Sequence, residues 1–213
     1  MRSTTFLFQS ALRSDLGSSF RTAMTRVSSQ AMILTAGSKS PSTELHGMTL
    51  SSVCSLSVHP NPLLLFNLHL PSYTSKTLHE NNGMLGLHLM PPTKQAVTLG
   101  RKFAGGVKRD PSHFDAENED GELFHEMTTP FSGLQGSYSM HYAGDGVSVP
   151  ILNELEVVFL CTKHRVFEVE NHELWVVKVN DILFPNKRFD SAPSGGLLYY
   201  HRGFHQVGEL LLE

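Results

Sequence analysis

The chain has 213 residues, of which 40% are hydrophobic and 17% charged, with a formal net charge of −3. This length suffices for one sizeable domain and is marginal for two. The charge gives no basic footprint for nucleic acid or an anionic membrane. No apolar run approaches the roughly 20 residues that span a bilayer. The longest run, residues 62–70, is interrupted by Asn67 and His69 and is predicted to be a buried strand.

The N-terminal stretch differs in composition from the rest of the chain. Residues 1–17 contain Arg2 and Arg13, many Ser and Thr residues and one acid, Asp15, and their apolar residues recur at helical spacing. These features are typical of a mitochondrial transit segment, and an ordinary N-terminal helix packed on the domain is the alternative. We therefore expect an N-terminal extension over 1–19, a domain over 20–213, and a mitochondrial or cytoplasmic location.

The two cysteines, Cys54 and Cys161, lie in no C-x-x-C pair and near no His cluster with zinc spacing. A disulfide scaffold is not indicated, which favours a reducing compartment. Both thiols are expected to be buried and to pack as small hydrophobic groups.

Gly and Pro, with 17 and 11 copies, separate short runs rich in β-branched and aromatic residues. This pattern favours a β-rich fold with many turns. Two short helices are predicted over 73–82 and 94–104, capped by Ser72 and Thr93, and the section 107–131 is predicted to be irregular. Strands are predicted, in chain order, over 27–36, 45–58, 63–70, 84–90, 150–170, 173–184, 197–200 and 203–207, with a hairpin turn at Asn171-His172.

Strands and helices do not alternate regularly, and the sequence contains neither G-x-G-x-x-G after a strand nor G-x-x-x-x-G-K-[ST]. A Rossmann or P-loop nucleotide site is therefore not supported. The sequence predicts a mainly β fold, an antiparallel β-barrel with short helical insertions.

The most informative segment runs from His46 to Ser57 and is followed by Pro60-Asn61-Pro62. It is too polar for a plain core strand, and small polar residues let a flat heterocycle or a phosphate approach the backbone closely, with Gly47 adding room. A Ser-rich edge strand without a ligand is the alternative. The candidate binding residues are His46, Gly47, Thr49, Leu50, Ser51, Ser52, Val53 and Cys54.

A second hydroxyl cluster opens the first predicted helix. A helix N-terminus offers unpaired N–H groups and partial positive charge, which suit a phosphate, and plain helix capping is the alternative. The candidate residues are Ser72, Thr74, Ser75 and Lys76.

The ordered succession of these motifs resembles the flavin reductase-like family with the FMN-binding split-barrel fold, which includes the reductase components of two-component flavin monooxygenases. The resemblance covers roughly residues 20–208. It extends over Arg21-Thr22-Ala23-Met24, Leu34-Thr35-Ala36, the Gly-x-Thr-x-Ser-Ser run from Gly47, Ser72-Tyr73-Thr74, Arg101-Lys102-Phe103-Ala104 and Leu197-Leu198-Tyr199-Tyr200.

The resemblance implies that residues 49–54 cradle the flavin ring and ribityl chain, that the second cluster lies near the phosphate, and that Phe103 belongs to the binding site. It implies a catalytic position for His172, near flavin and nicotinamide. Where the family often has Gly-Asp-His, this sequence has Glu170-Asn171-His172. The section 107–148 is longer than the usual family loop and is expected to reshape substrate access.

The expected function is NAD(P)H-dependent reduction of FMN or FAD, with a homodimer as the active species and a monooxygenase as the receiving partner. Hydride passes between the two cofactors, so the protein supplies stacking geometry and electrostatics. Two alternatives remain open: a non-catalytic flavin-binding protein on the same fold, and a flavin-linked oxidase of a small molecule.

Three further patterns are interpreted as structural. The acidic run 115–121 with Glu126 resembles a calcium loop, but its Gly is at the seventh position and flanking helices are missing, so we predict a solvated acidic loop. His201 and His205 have i, i+4 spacing within a predicted strand and turn, and no metal site is expected. Trp175 is predicted to lie in the core.

Overall fold

The computed structural model of the protein describes residues 16–20, 22–40, 45–105, 126–189 and 192–208. Within these ranges the chain is mainly β, as the sequence predicts. Its elements are β1 (Ser29–Gln30), β2 (Met32–Ala36), β3 (Gly47–Leu50), β4 (Cys54–Ser57), β5 (Leu63–His69), α1 (Tyr73–Glu80), β6 (Met84–Leu89), α2 (Lys94–Ala104), β7 (Tyr138–Gly144), β8 (Val147–Leu152), β9 (Val157–Val169), β10 (His172–Leu183), β11 (Leu197–Tyr200) and β12 (Gly203–Gln206).

The largest sheet of the described chain is antiparallel and has the strand order β3-β2-β6-β9-β10-β5-β4. Its edge strands, β3 and β4, are consecutive in sequence and are joined by residues 51–53. The four backbone steps from Leu50 to Cys54 reach at most about 14 Å. Six strand spacings would separate the edges of a flat sheet by about 29 Å. The sheet must therefore curl until its edges approach, which gives a barrel that is split between β3 and β4.

Two β-bulges lie in the long hairpin β9–β10. The register shifts between Val176 and Val177, where His164 is the extra residue, and again between Val179 and Asp181, where Asn180 is extra. Bulges bend a strand and increase its twist. They let these strands, of 13 and 12 residues, follow the curvature of the barrel.

The barrel interior is filled by apolar side chains from the large sheet and from α1. Trp175 and Phe66 are fully buried and stack with ring centroids 6.2 Å apart, and Leu78 of α1 belongs to the same cluster. The predicted core position of Trp175 is confirmed. A second cluster joins α2 to β2 and β11 through Phe103, Ile33 and Leu197.

Two predicted strands are broken by connections. The segment 45–58 divides into β3 and β4 because its halves pair with opposite edges of the sheet. The segment 150–170 divides at 153–156, where a turn separates β8 from β9. Part of the section 107–148 is a folded hairpin, β7–β8, whose turn at Asp145-Gly146 has φ values of 52° and 74°. Residues 107–125 and the acidic run 115–121 lie outside the described residues.

The hairpin between β9 and β10 turns at Glu170-Asn171, one residue earlier than predicted, and Glu170 adopts φ 53°. His172 is therefore the first residue of β10 and pairs with Val169. The strand–turn–strand prediction around His201 and His205 is confirmed, since β11 and β12 pair across His201-Arg202.

The prediction that both cysteines are buried is wrong for Cys54. Cys54 is exposed because it lies on the edge strand β4, whereas Cys161 is buried on β9. Burial raises the pKa of the Cys161 thiol to about 12. In the described part of the chain, no helix is long and apolar enough to cross a membrane.

The N-terminal residues that are described place apolar side chains in solvent. Leu16, Phe20 and Met24 are 71%, 63% and 47% exposed. Residues 1–15 and Arg21 lie outside the described residues, so the transit segment stays a prediction.

His88 is a fully buried, neutral histidine on β6. Its Nδ1 donates to the Ile33 carbonyl oxygen at 3.0 Å, and its Nε2 accepts from the Leu152 N–H at 3.2 Å. These two bonds fix one neutral tautomer. Burial lowers the pKa of His88 from 6.5 to about 4, although the backbone hydrogen bonds oppose this shift.

Because the folded-state pKa of His88 lies below the unfolded value, the folded protein should lose stability as pH falls from 6.5 towards 4. We expect His88 to contribute about 2 kcal/mol of the loss in unfolding free energy between pH 7.5 and 5.0. Urea unfolding of wild type and His88→Gln at both pH values measures this contribution to the unfolding free energy. An equal pH dependence in the two proteins would contradict the assignment.

Candidate functional site

The hydroxyl-rich segment lies across the split of the barrel. Leu50 and Val53 are buried in the core, whereas Ser51 and Cys54 are exposed. Ser52 is partly buried, and its Oγ accepts a hydrogen bond from the Asn67 N–H at 3.2 Å. The segment is thus anchored from below by two apolar side chains and presents small polar groups on its outer side.

Gly47 and Phe103 meet beneath this segment. A Cβ at Gly47 would collide with the Leu34 carbonyl oxygen and lie 3.1 Å from Phe103 Cε1. Phe103 is 1% exposed and packs edge-on against Phe131, with centroids 5.2 Å apart. Gly47 is therefore required where β3 crosses β2 and α2, and not for the approach of a ligand. Phe103 lies in the core of the described structure.

Thr49, Leu50 and Ser51 border a cleft of about 230 Å³. The Thr49 hydroxyl donates to the Gly100 carbonyl oxygen at 2.6 Å and so ties β3 to α2. The rest of the cleft is lined by Ala31, Ala104, Tyr199 and Phe204. A larger cavity of about 450 Å³ lies between α2 and β12, and its charged or titratable lining residues are Lys94, Arg101 and His205.

The end of β5 brings two histidines together. His69 pairs with His172 across the strands, and their rings meet edge to face with centroids 5.0 Å apart. Asn171 bridges them: its Nδ2 lies 3.0 Å from His69 Nε2, and its Oδ1 lies 2.7 Å from His172 Nδ1. Burial, and then the neighbouring His172, hold the pKa of His69 below its usual value.

The two predicted clusters meet at the first residue of α1. The His46 ring stacks on Tyr73 with centroids 5.9 Å apart and an interplanar angle of 12°. This contact sets the start of the hydroxyl-rich segment against the helix. Lys76 is exposed and its Nζ lies 3.9 Å from Glu80 Oε1 within α1.

The N-terminus of α1 is bound by a carboxylate. The Tyr73 and Thr74 N–H groups donate to Glu126 at 2.6 and 2.8 Å, and Glu126 is 3% exposed. The prediction of a solvated acidic loop is therefore wrong for Glu126. Its side chain is buried because two backbone donors of the helix satisfy it.

A second buried carboxylate fastens α1 to the sheet. Glu173 of β10 accepts hydrogen bonds from Ser75 Oγ, from His79 Nε2 at 2.9 Å and from Trp175 Nε1 at 2.9 Å. Burial alone would raise the pKa of Glu173, but these three donors and the charge of His79 outweigh burial and hold the pKa below its usual value.

The site residues that the sequence reading missed are Glu126, Glu173, His69 and Asn171. Glu126, Glu173 and His69 bind partners that are distant in sequence. Asn171 binds its neighbour His172, but it also reaches His69 only because of the strand register. No local sequence motif therefore marks these four residues. In the described ranges, no group of three His, Cys, Asp or Glu side chains is placed to hold a metal ion.

Comparison with known proteins gives a family and a fold. The model of the family described as "Flavin reductase like domain" matches residues 24–208. A flavin reductase domain protein from Arthrobacter sp. FB24 superposes with a TM-score of 0.67 at 21% identity, over 92% of this chain and 99% of that chain.

Two further solved structures have the same architecture. The styrene monooxygenase flavin reductase of Pseudomonas putida S12 has a TM-score of 0.61 at 17% identity, over 90% of this chain and 99% of its own. An NADH:FAD oxidoreductase from Streptomyces globisporus, in complex with NAD and FAD fragments, has a TM-score of 0.62 at 16% identity, over 89% and 91%. The predicted split-barrel fold is confirmed.

Replacing Glu173 with Gln should detach α1 from the sheet, because an amide oxygen cannot accept all three hydrogen bonds. We expect a loss of about 2–4 kcal/mol in unfolding free energy. The control is Glu168→Gln, an exposed glutamate opposite Glu173 on β9, with an expected change within about 0.5 kcal/mol. Chemical denaturation measures both, and equal effects would rule out the network as an anchor.

Proposed function

The chain belongs to the flavin reductase like domain family, and from this premise we propose that it is an NAD(P)H-dependent flavin reductase. It transfers a hydride from a nicotinamide cofactor to FMN or FAD, and the reduced flavin leaves for an oxygenase or another acceptor. Two similar solved structures support this role, one a styrene monooxygenase flavin reductase and the other an NADH:FAD oxidoreductase in complex with NAD and FAD fragments.

One observation carries the proposal: the segment that joins the two barrel edges presents small polar groups outward. Ser51 and Cys54 are exposed while Leu50 and Val53 hold the segment in the core. A flat ring can approach such a backbone closely, because the outward-facing side chains of Ser51 and Cys54 are small. The residues that would hold the flavin ring are those of 49–54, and α1 would lie near the phosphate.

The residues present fit a phosphorylated flavin at α1 once Glu126 gives up the Tyr73 and Thr74 N–H groups. The Thr74 hydroxyl is fully buried and has no hydrogen-bond partner among the described residues. An unsatisfied buried donor on the first turn of a helix is a ready partner for an anion. Lys76, two residues further along α1, adds an exposed positive charge. When bound, the flavin supplies the hydride acceptor and the nicotinamide supplies the donor.

His172 is proposed to orient the nicotinamide. Asn171 Oδ1 accepts from His172 Nδ1, and Asn171 Nδ2 donates to His69 Nε2. This arrangement assigns the proton of a neutral His172 to Nδ1 and leaves Nε2 for a ligand. The replacement of the family's Gly-Asp by Glu170-Asn171 thus keeps a side-chain acceptor beside the histidine, although it removes a carboxylate.

We propose that the active species is a homodimer. The cleft beside residues 49–51, of about 230 Å³, is smaller than a typical ligand pocket, which is roughly 300–1,000 Å³, so a second chain is expected to complete the site.

The proposed function predicts flavin-dependent turnover. Purified protein should oxidise NADH or NADPH, followed by the loss of nicotinamide absorbance, in proportion to added FMN or FAD. Flavin binding by fluorescence quenching without turnover would instead indicate a flavin-binding protein. Peroxide release that requires an organic substrate would indicate an oxidase, and an absence of flavin binding would leave the fold alone.

His172→Ala should slow nicotinamide oxidation more than it weakens flavin binding. Loss of one positioning hydrogen bond predicts a fall of about tenfold or more in kcat/KM for the nicotinamide, with the flavin Kd changed less than about threefold. His164→Ala, at an exposed position of β9, is the matched control. Unaltered turnover in His172→Ala would remove this residue from hydride transfer.

A further inference from the structure

The backbone N–H groups of the first turn of α1 are all engaged. The Ser75 N–H donates to Ser72 Oγ at 3.0 Å, and the Lys76 N–H donates to the Ser72 carbonyl oxygen at 3.1 Å. The two remaining N–H groups, of Tyr73 and Thr74, donate to Glu126. A phosphate can therefore accept hydrogen bonds from backbone N–H groups at this end of α1 only if Glu126 leaves.

Within the described ranges, the Tyr73 and Thr74 N–H groups hold Glu126 in place, and no described cation forms an ion pair with it. A buried carboxylate is costly unless its charge is balanced. Here the balance comes from the partial positive charge of the helix N-terminus, which is the feature that binds phosphates.

The Thr74 hydroxyl is independent evidence that the N-terminus of α1 can bind a group with more acceptor oxygens than a carboxylate has. It is fully buried, lies on the residue that supplies one of the two N–H groups, and has no partner among the described residues. A carboxylate has two oxygens and both are engaged, whereas a phosphate monoester has three terminal oxygens. The unsatisfied hydroxyl thus matches the additional oxygen of a phosphate.

Glu126 can leave without breaking a strand or a helix. It belongs to no regular element and precedes β7 by 12 residues, and it lies 52 and 53 residues from its two partners in sequence. It is tethered at a high effective concentration, so an incoming phosphate must displace it. Most of the free energy that the helix N-terminus would contribute to phosphate binding is then offset by the cost of displacing the carboxylate.

We propose that Glu126 is a specificity-determining residue that stands in for the flavin phosphate and abolishes the preference for phosphorylated flavins. The proposal rests on the proposed function, and it makes riboflavin nearly as good a substrate as FMN. The ring contacts at 49–54 are common to both flavins, whereas the phosphate contact is cancelled by the displacement of Glu126.

The test compares FMN with riboflavin by fluorescence quenching in a buffer free of phosphate and sulfate. Wild type should bind the two with Kd values within about threefold of each other. In Glu126→Gln and Glu126→Ala the FMN Kd should fall about tenfold or more, because a charge-assisted competitor is gone, while the riboflavin Kd stays constant. Glu168→Gln, an exposed glutamate of β9, is the matched control and should leave both Kd values unchanged.

Two results would overturn the proposal. One is a wild-type preference for FMN over riboflavin above about thirtyfold, which needs no variant. The other is an unchanged FMN-to-riboflavin ratio in folded Glu126→Gln and Glu126→Ala, which would make Glu126 a helix cap alone.

If wild type binds neither flavin, the proposed function fails, and inorganic phosphate still tests the site. Phosphate should raise the Tm of Glu126→Ala and leave that of wild type unchanged. Equal effects of phosphate on the two proteins would overturn the proposal independently of flavin binding.

Discussion

The connection of three residues between β3 and β4 is the constraint on which the rest of the structure depends. These strands are the opposite edges of a seven-stranded sheet in the described chain, yet residues 51–53 span them. A chain of that length cannot cross a flat sheet of this width, so the sheet closes on itself. The outer side of the same connection is small and polar, with Ser51 exposed and Ser52 half-buried. A fold requirement and a candidate binding surface thus coincide in one segment.

The helix α1 is held to this barrel by two carboxylates with different tasks. Glu173 binds the middle of the helix from beneath, through Ser75 and His79, and so fixes its position on β10. Glu126 binds the N-terminal N–H groups from a segment outside the sheet. The first contact is part of the core. The second lies where the family resemblance implies the flavin phosphate, and we propose that it sets flavin specificity.

Much of this arrangement is readable from sequence, within limits that have a physical cause. The helix 94–104 and the strand near 63–69 follow from local pattern and capping, and their bounds agree with the structure. The break at 51–53 does not follow from the alternation of apolar and polar residues. That alternation indicates which face of the sheet a residue occupies, but not which edge of the sheet its strand joins. The need for Gly47 is likewise non-local, since it arises from the Leu34 carbonyl oxygen and the Phe103 ring. Glu126 looked solvated because its partners lie more than 50 residues away.

A crystal structure of the FMN complex tests the central claim most directly, which is that the segment across the barrel split holds the flavin ring. We expect ring density against residues 51–54, at the junction of β3 and β4. Ring density in the cavity between α2 and β12, beside Lys94 and Arg101, and none at the barrel split would contradict this claim.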